Sequence, residues 1–116
     1  MSTADGKKAL RDITFSGKRE DYMMWAAKLL SYAQVKGFKK VLLGQETPVA
    51  DISKLEKAEL EAVIRINKAN DLAYSMLHIA VKGDVSFNAI YSATTDTLPD
   101  GDAKLAWDQL EKIFKP

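Results

Sequence analysis

The sequence predicts an all-α fold, a compact bundle of about five helices of which one is long. Apolar residues recur three and four positions apart over long stretches, which is the period of an α-helix. No stretch of useful length shows the apolar–polar alternation of a strand. Glycines and prolines fall between the periodic stretches, where loops are expected. With 116 residues, 47% of them apolar, the chain fits one domain around one core.

The N-terminal part contains an arm and the first helix. Residues 1–14 are small, polar and charged, which predicts a flexible arm ahead of a helical domain over 15–116. The first helix is predicted from about Glu20 to Lys36, and Gly37 suits the left-handed position that ends many helices. Its apolar stripe consists of Tyr22, Trp25, Ala26, Leu29, Tyr32 and Ala33.

A short and a long helix follow. Residues 38–44 predict a short helix that ends at Gly44. Ser53 and Glu56 have the spacing of a capping box, which predicts a long helix from there to about Val81. Asparagine is a weak helix former, so a break near residues 67–70 is an alternative. The stripe of the long helix consists of Leu60, Val63, Ile66, Ala69, Ala73, Met76, Leu77 and Ala80.

Two further helices complete the predicted bundle. Asp84 is expected to cap a helix over about 85–93, whose buried face would contain Val85, Phe87 or Ala89, and Ile90. Asp102 is expected to cap the last helix, over 103–114. The apolar face of that helix consists of Leu105 or Ala106, Trp107, Leu110, Ile113 and Phe114.

The residue types argue against catalysis. The chain has no cysteine and one histidine, His78, which excludes disulfides, thiol nucleophiles and zinc knuckles and favours a structural role for the imidazole. No nucleotide-binding, nucleophile-elbow or zinc-protease motif occurs. The run from Asp96 to Asp102 resembles a calcium loop, but its twelfth position is Trp107 instead of glutamate. We therefore predict no enzyme activity, catalytic residue, cofactor, metal site or small-molecule substrate.

Charge is distributed unevenly along the chain. The formal net charge is +1, composed of +4 over residues 1–58 and −3 over residues 59–116. Such asymmetry permits attraction between copies. Lys36, Lys39 and Lys40 are close in sequence and form a candidate contact for RNA or other phosphates, with a solvated face as the alternative.

Three apolar residues of the first helix lie off its main stripe. Met23, Met24 and Leu30 are candidates for a protein interaction surface. The alternative is a wider contact with the core.

Nothing in the sequence predicts a membrane protein. No apolar run approaches the roughly 18 residues of a membrane span. The lysines near the N-terminus are not followed by the apolar segment of a secretory signal. A cytoplasmic location is therefore expected.

An ordered set of motifs resembles a known family. Phe15-Ser16-Gly17 leads through Tyr22-Met23-Met24-Trp25 to the first helix. Gly37-Phe38 and Val41-Leu42-Leu43-Gly44 follow, and Ala106-Trp107-Asp108-Gln109-Leu110 with Phe114 closes the chain. Over roughly residues 15–116 this set is similar to the N-terminal, capsid-like region of the Gag polyprotein of copia-type LTR retrotransposons. The spacing from Phe15 to Tyr22 is two residues longer than the usual pattern, and Phe38 stands where tryptophan is common.

The resemblance implies a structural role. The fold would be like a retroviral-type capsid N-terminal domain, and the chain would associate with other copies of itself in virus-like particles. Element RNA would be bound through regions outside this chain. Alternatives are a helical adaptor from a domesticated Gag, which binds a partner beside Met23 and Leu30, or weak RNA binding through the lysine-rich edge. The structural anchors would be Phe15, Tyr22, Trp25, Leu29, Phe38, Trp107, Leu110 and Phe114.

Overall fold

Five helices form the fold of residues 12–116, the part of the chain that the computed structural model describes. This confirms the predicted all-α bundle. Within those residues there is no strand, and the single β-type pairing is an isolated parallel bridge between Phe15 and Val81. Residues 1–11 of the predicted arm lie outside the described part, whereas Ile13 packs against the core. After a 3-10 turn over Arg19–Asp21, the helices are α1 Tyr22–Lys36, α2 Lys39–Leu42, α3 Lys57–Ile79, α4 Asp84–Tyr91 and α5 Ala103–Phe114.

Two of the predicted helix ends are present. Gly37 ends α1 in the left-handed conformation, with φ of 89°, and its N–H donates to the Ala33 carbonyl at 2.8 Å. Asp102 caps α5, because its Oδ1 accepts from the backbone N–H of Leu105 at 3.1 Å. The last helix therefore begins where its capping residue predicts.

The capping-box prediction at Ser53 is wrong. The Ser53 hydroxyl donates to the Asp51 carboxylate at 2.6 Å instead of capping a helix, and α3 begins at Lys57. Short-range bonds of this kind compete with capping. Asp84 likewise makes no side-chain cap, since it is the first residue of α4 and Gly83 occupies the capping position.

The long helix is continuous through its asparagines because their amides bond outside it. The Asn67 side chain donates to the Val49 carbonyl at 2.9 Å and accepts from the Val49 N–H at 3.0 Å. The buried Asn70 donates to the Gly101 carbonyl at 3.0 Å and accepts from the Ala103 N–H at 2.9 Å. The predicted alternative of a break is therefore wrong.

An aromatic cluster joins the first and last helices. The ring of Phe15 lies 5.0 Å from that of Trp25 and 4.8 Å from that of Phe114, and Trp25 lies 5.8 Å from Trp107. The backbone of Phe15 is also held, since its N–H donates to the Ala80 carbonyl at 2.7 Å. The residues expected as anchors all lie in this core: Phe15, Tyr22, Trp25, Leu29, Phe38, Trp107, Leu110 and Phe114.

Helix α5 is the central packing element. It packs against α2, α3 and α4. Ala103 and Ala106 on its inner face are fully buried, and their small side chains let the neighbouring helices approach closely. The loop before α5 is fixed by α3, because Tyr74 Oη donates to the Ile90 carbonyl at 2.6 Å and its ring lies against Gly101.

Truncation of the aromatic cluster is expected to be costly. Trp25→Ala removes a side chain that is 4% exposed and leaves a cavity, so the free energy of unfolding should fall by about 3–5 kcal/mol. Val35→Ala, at a side chain on the same helix that is 74% exposed, is the control and should change it little. Urea denaturation of both variants measures the difference. Equal midpoints for the two variants would contradict the burial of the indole.

Gly101 tests the packing of the last loop. A Cβ built at Gly101 would lie 2.5 Å from the Tyr74 ring, and φ is 133° there. Gly37 also has positive φ, but a Cβ there would meet nothing within 4 Å. Gly37→Ala should therefore lower the free energy of unfolding by about 1–2 kcal/mol, through the left-handed backbone alone. Gly101→Ala should lower it by more, because the new Cβ also collides with the Tyr74 ring. Equal losses in urea denaturation would show that Tyr74 moves aside freely.

Candidate interaction surfaces

The described residues hold no cluster with the make-up of a metal centre. Between residues 12 and 116, no three histidine or carboxylate side chains are grouped so that they could hold a metal ion. Of the three aspartates that resemble a calcium loop, Asp102 caps α5, while Asp96 and Asp100 are exposed in the preceding loop. A turn and a helix cap therefore account for these carboxylates.

The predicted apolar surface on α1 is divided. Met23 is 55% and Met24 67% exposed, whereas Leu30 is partly buried and packs against the core. Further along the outer side of the helix, Val35 and Tyr32 line an apolar groove of about 480 Å³. The free part of this surface thus consists of the two methionines and, towards the C-terminal end, the groove.

The predicted basic residues fall into two places. Lys36 Nζ lies 5.7 Å from the centre of the Tyr32 ring and lines the apolar groove. Lys39 and Lys40 line a different groove, of about 440 Å³, together with Gln34 and Leu43. We call Lys39 and Lys40 the basic edge. Lys39 Nζ donates to Gln34 Oε1 at 3.4 Å, and neither lysine forms an ion pair within the described residues.

Arg65 also lines the groove of the basic edge. The sequence analysis did not identify this residue. Its guanidinium bonds both oxygens of Glu46, at 2.7 and 3.3 Å, and this hydrogen bonding lowers the pKa of Glu46. The two residues are 19 positions apart, and no local pattern signals the pairing. Because Arg65 and Glu46 neutralise each other, the net positive charge of the groove comes from the basic edge.

A row of aromatic side chains lies across α3 and α4. The centres of Tyr74 and His78 are 4.9 Å apart, those of His78 and Phe87 5.4 Å, and those of Phe87 and Tyr91 5.6 Å. Phe87 is 47% and Tyr91 67% exposed. We call these four residues the aromatic strip. Phe87 and Tyr91 form the part of the strip that is open to contact with another molecule, whereas Tyr74 and His78 are partly buried.

The buried face predicted for α4 is partly wrong. Ala89 and Ile90 are buried as expected, but Val85 and Phe87 are exposed. The helix is short and mostly apolar, so its sequence does not distinguish the covered side from the open one. The four-residue spacing of Phe87 and Tyr91, which stack at 17°, is the signal that could have identified the outer stripe.

The surroundings of His78 change the pKa of its imidazole. Burial lowers the pKa of the His78 imidazole below its ordinary value of 6.5, because the charged form loses hydration against the neighbouring rings. The unfolded chain therefore takes up a proton before the folded one does. It follows that stability is present above about pH 6.5 and decreases as the pH falls below it.

A pH series tests this effect. The urea midpoint of the wild type should fall between about pH 7.5 and pH 5.5, and that of His78→Gln should fall less, because glutamine does not titrate. The carboxylates are the same in both proteins, so they cancel in the comparison. Parallel pH profiles of the two proteins would show that His78 does not contribute.

Comparison with known proteins does not assign the chain to a family. No protein-family model matches the chain, and neither a curated protein nor a solved structure is detectably similar to it. Among the helices of residues 12–116, none combines the length and apolar character required to cross a membrane.

Proposed function

We propose that this chain is a structural, self-associating domain, a capsid-like domain of a copia-type retrotransposon Gag that contributes to virus-like particle assembly in the cytoplasm. In this role the helical bundle is a scaffold, and its partners are other copies of the chain. No catalytic role is proposed. Element RNA would be bound by regions beyond this domain.

The observation that carries the proposal is the division of apolar residues between the core and two separate outer surfaces. The aromatic anchors of the resemblance are buried in the bundle. The methionines of α1 and the Phe87 and Tyr91 rings of the aromatic strip remain exposed on different helices. Growth of a shell requires each subunit to contact more than one neighbour. Two distinct contact surfaces on one small domain fit that requirement.

Two other functions have a supporting observation each. The apolar groove beside Val35 and Tyr32 is the kind of surface that receives an amphipathic helix, which favours an adaptor role. The basic edge with Lys39 and Lys40 favours weak binding of RNA phosphates. The proposed self-association differs from both because it requires no second type of molecule.

Sedimentation velocity over a concentration series tests the proposal. We expect the weight-average sedimentation coefficient to rise as the protein approaches millimolar concentration, since shell lattices are built from many weak contacts. A sedimentation coefficient that stays at the monomer value up to millimolar concentration would contradict self-association.

Binding assays on the same protein separate the alternatives. An adaptor would bind helical peptides while remaining monomeric, and Val35→Glu would abolish that binding. RNA binding would weaken steeply with salt and disappear in Lys39→Gln/Lys40→Gln. Lys54→Gln/Lys57→Gln removes the same charge elsewhere and is the matched control.

A further inference from the structure

A carboxylate extends the aromatic strip on each of its two helices. On α3, Asp71 precedes Tyr74 by three residues and His78 by seven. On α4, Asp84 precedes Phe87 by three residues and Tyr91 by seven. Residues at these spacings share one face of a helix. Asp71 and Asp84 are exposed, and neither forms an ion pair within residues 12–116.

The two carboxylates lie at opposite ends of the strip. His78, near the end of α3, contacts Phe87, which is one turn into α4. Tyr74, one turn earlier on α3, donates to the Ile90 carbonyl near the end of α4. The two helices therefore run antiparallel. Asp84 lies at the His78 end of the strip and Asp71 at the Tyr91 end.

This arrangement has the chemistry of a surface for basic side chains. The faces of aromatic rings attract cations, and lysine and arginine have apolar stems that cover rings while the charged group reaches a carboxylate. A partner that suits the strip therefore presents at least two cationic side chains over an apolar base.

The same chain carries such a surface elsewhere. In the groove of the basic edge, Lys39 and Lys40 are accompanied by the apolar Leu43. The single carboxylate among the lining residues, that of Glu46, is already bonded by Arg65. The basic edge and the strip are thus complementary in charge, in accord with the net charges of +4 over residues 1–58 and −3 over residues 59–116.

We infer that copies of this chain associate head to tail, with the aromatic strip, Asp71 and Asp84 of one copy bound to the basic edge of the next. This inference rests on the proposed self-association and specifies its contact. Because two different surfaces meet, a bound pair of copies still has one unused strip and one unused edge. Association therefore continues until a ring closes or an open array forms.

Two variants that each lose one surface test this contact. Asp71→Asn/Asp84→Asn removes the charges of the strip, and Lys39→Gln/Lys40→Gln removes those of the edge. Each variant alone should associate at least roughly tenfold more weakly than the wild type, because its contact lacks two charges. A tenfold change in the association constant corresponds to about 1.4 kcal/mol. Asp96→Asn/Glu59→Gln, at exposed carboxylates outside the strip and outside the groove that Asp71 lines, is the matched control and should associate like the wild type. Thermal unfolding followed by circular dichroism verifies that all variants fold.

Mixing the two variants distinguishes a head-to-tail contact from a symmetric one. In an equimolar mixture, the intact edge of one variant can bind the intact strip of the other, and no further copy can be added. At a concentration at which neither variant associates alone, sedimentation should therefore show one-to-one pairs and nothing larger, while the wild type at equal concentration forms larger complexes. Raised salt should weaken both the mixed pairs and the wild-type complexes, since the contact is partly ionic.

The outcomes separate this inference from the proposed function. If the wild type associates and both variants associate as strongly, the head-to-tail contact is wrong and self-association stands. If each variant is weakened but the mixture forms no pairs, the strip does not bind the edge, and the inference is again wrong. If the wild type stays monomeric to millimolar concentration, the proposed function fails together with the inference.

Discussion

The position of Phe15 is the constraint on which the rest of the fold depends. Its ring contacts Trp25 of α1 and Phe114 of α5, and its backbone bonds to Ala80 and Lys82 beyond the end of α3. One residue ahead of the first helix therefore joins three segments that are far apart in sequence. Burial of large aromatic rings is the main contribution a small core can receive from single side chains. The helices have a common centre because these rings meet there.

A second constraint determines which surfaces remain outside. Asn70 and Tyr74 of α3 bond to the loop and helix end that connect α4 with α5. Helix α4 packs against α3 and α5 with Ala89 and Ile90 buried, whereas Phe87 and Tyr91 are exposed. The exposed rings of the aromatic strip therefore lie on the part of α4 that this packing leaves uncovered.

The sequence predicts those parts of the molecule in which local pattern and packing agree. The period of α1, the glycine at its end and the Asp102 cap of α5 all act within a few residues, so they are visible in the chain alone. The start of α3 was missed because Asp51 bonds the Ser53 hydroxyl that a cap would need. The exposure of Phe87 and the pairing of Arg65 with Glu46 depend on elements distant in sequence, which periodicity cannot reveal.

The contact between Phe15 and Phe114 has a topological consequence. Arg19 also donates to the Ile113 carbonyl at 3.0 Å, so the first and the last segments that the structure describes are neighbours. Domains whose termini lie close together tolerate circular permutation and insertion into other proteins. A segment joined directly ahead of Phe15 and another joined after Phe114 would therefore leave the bundle from the same side.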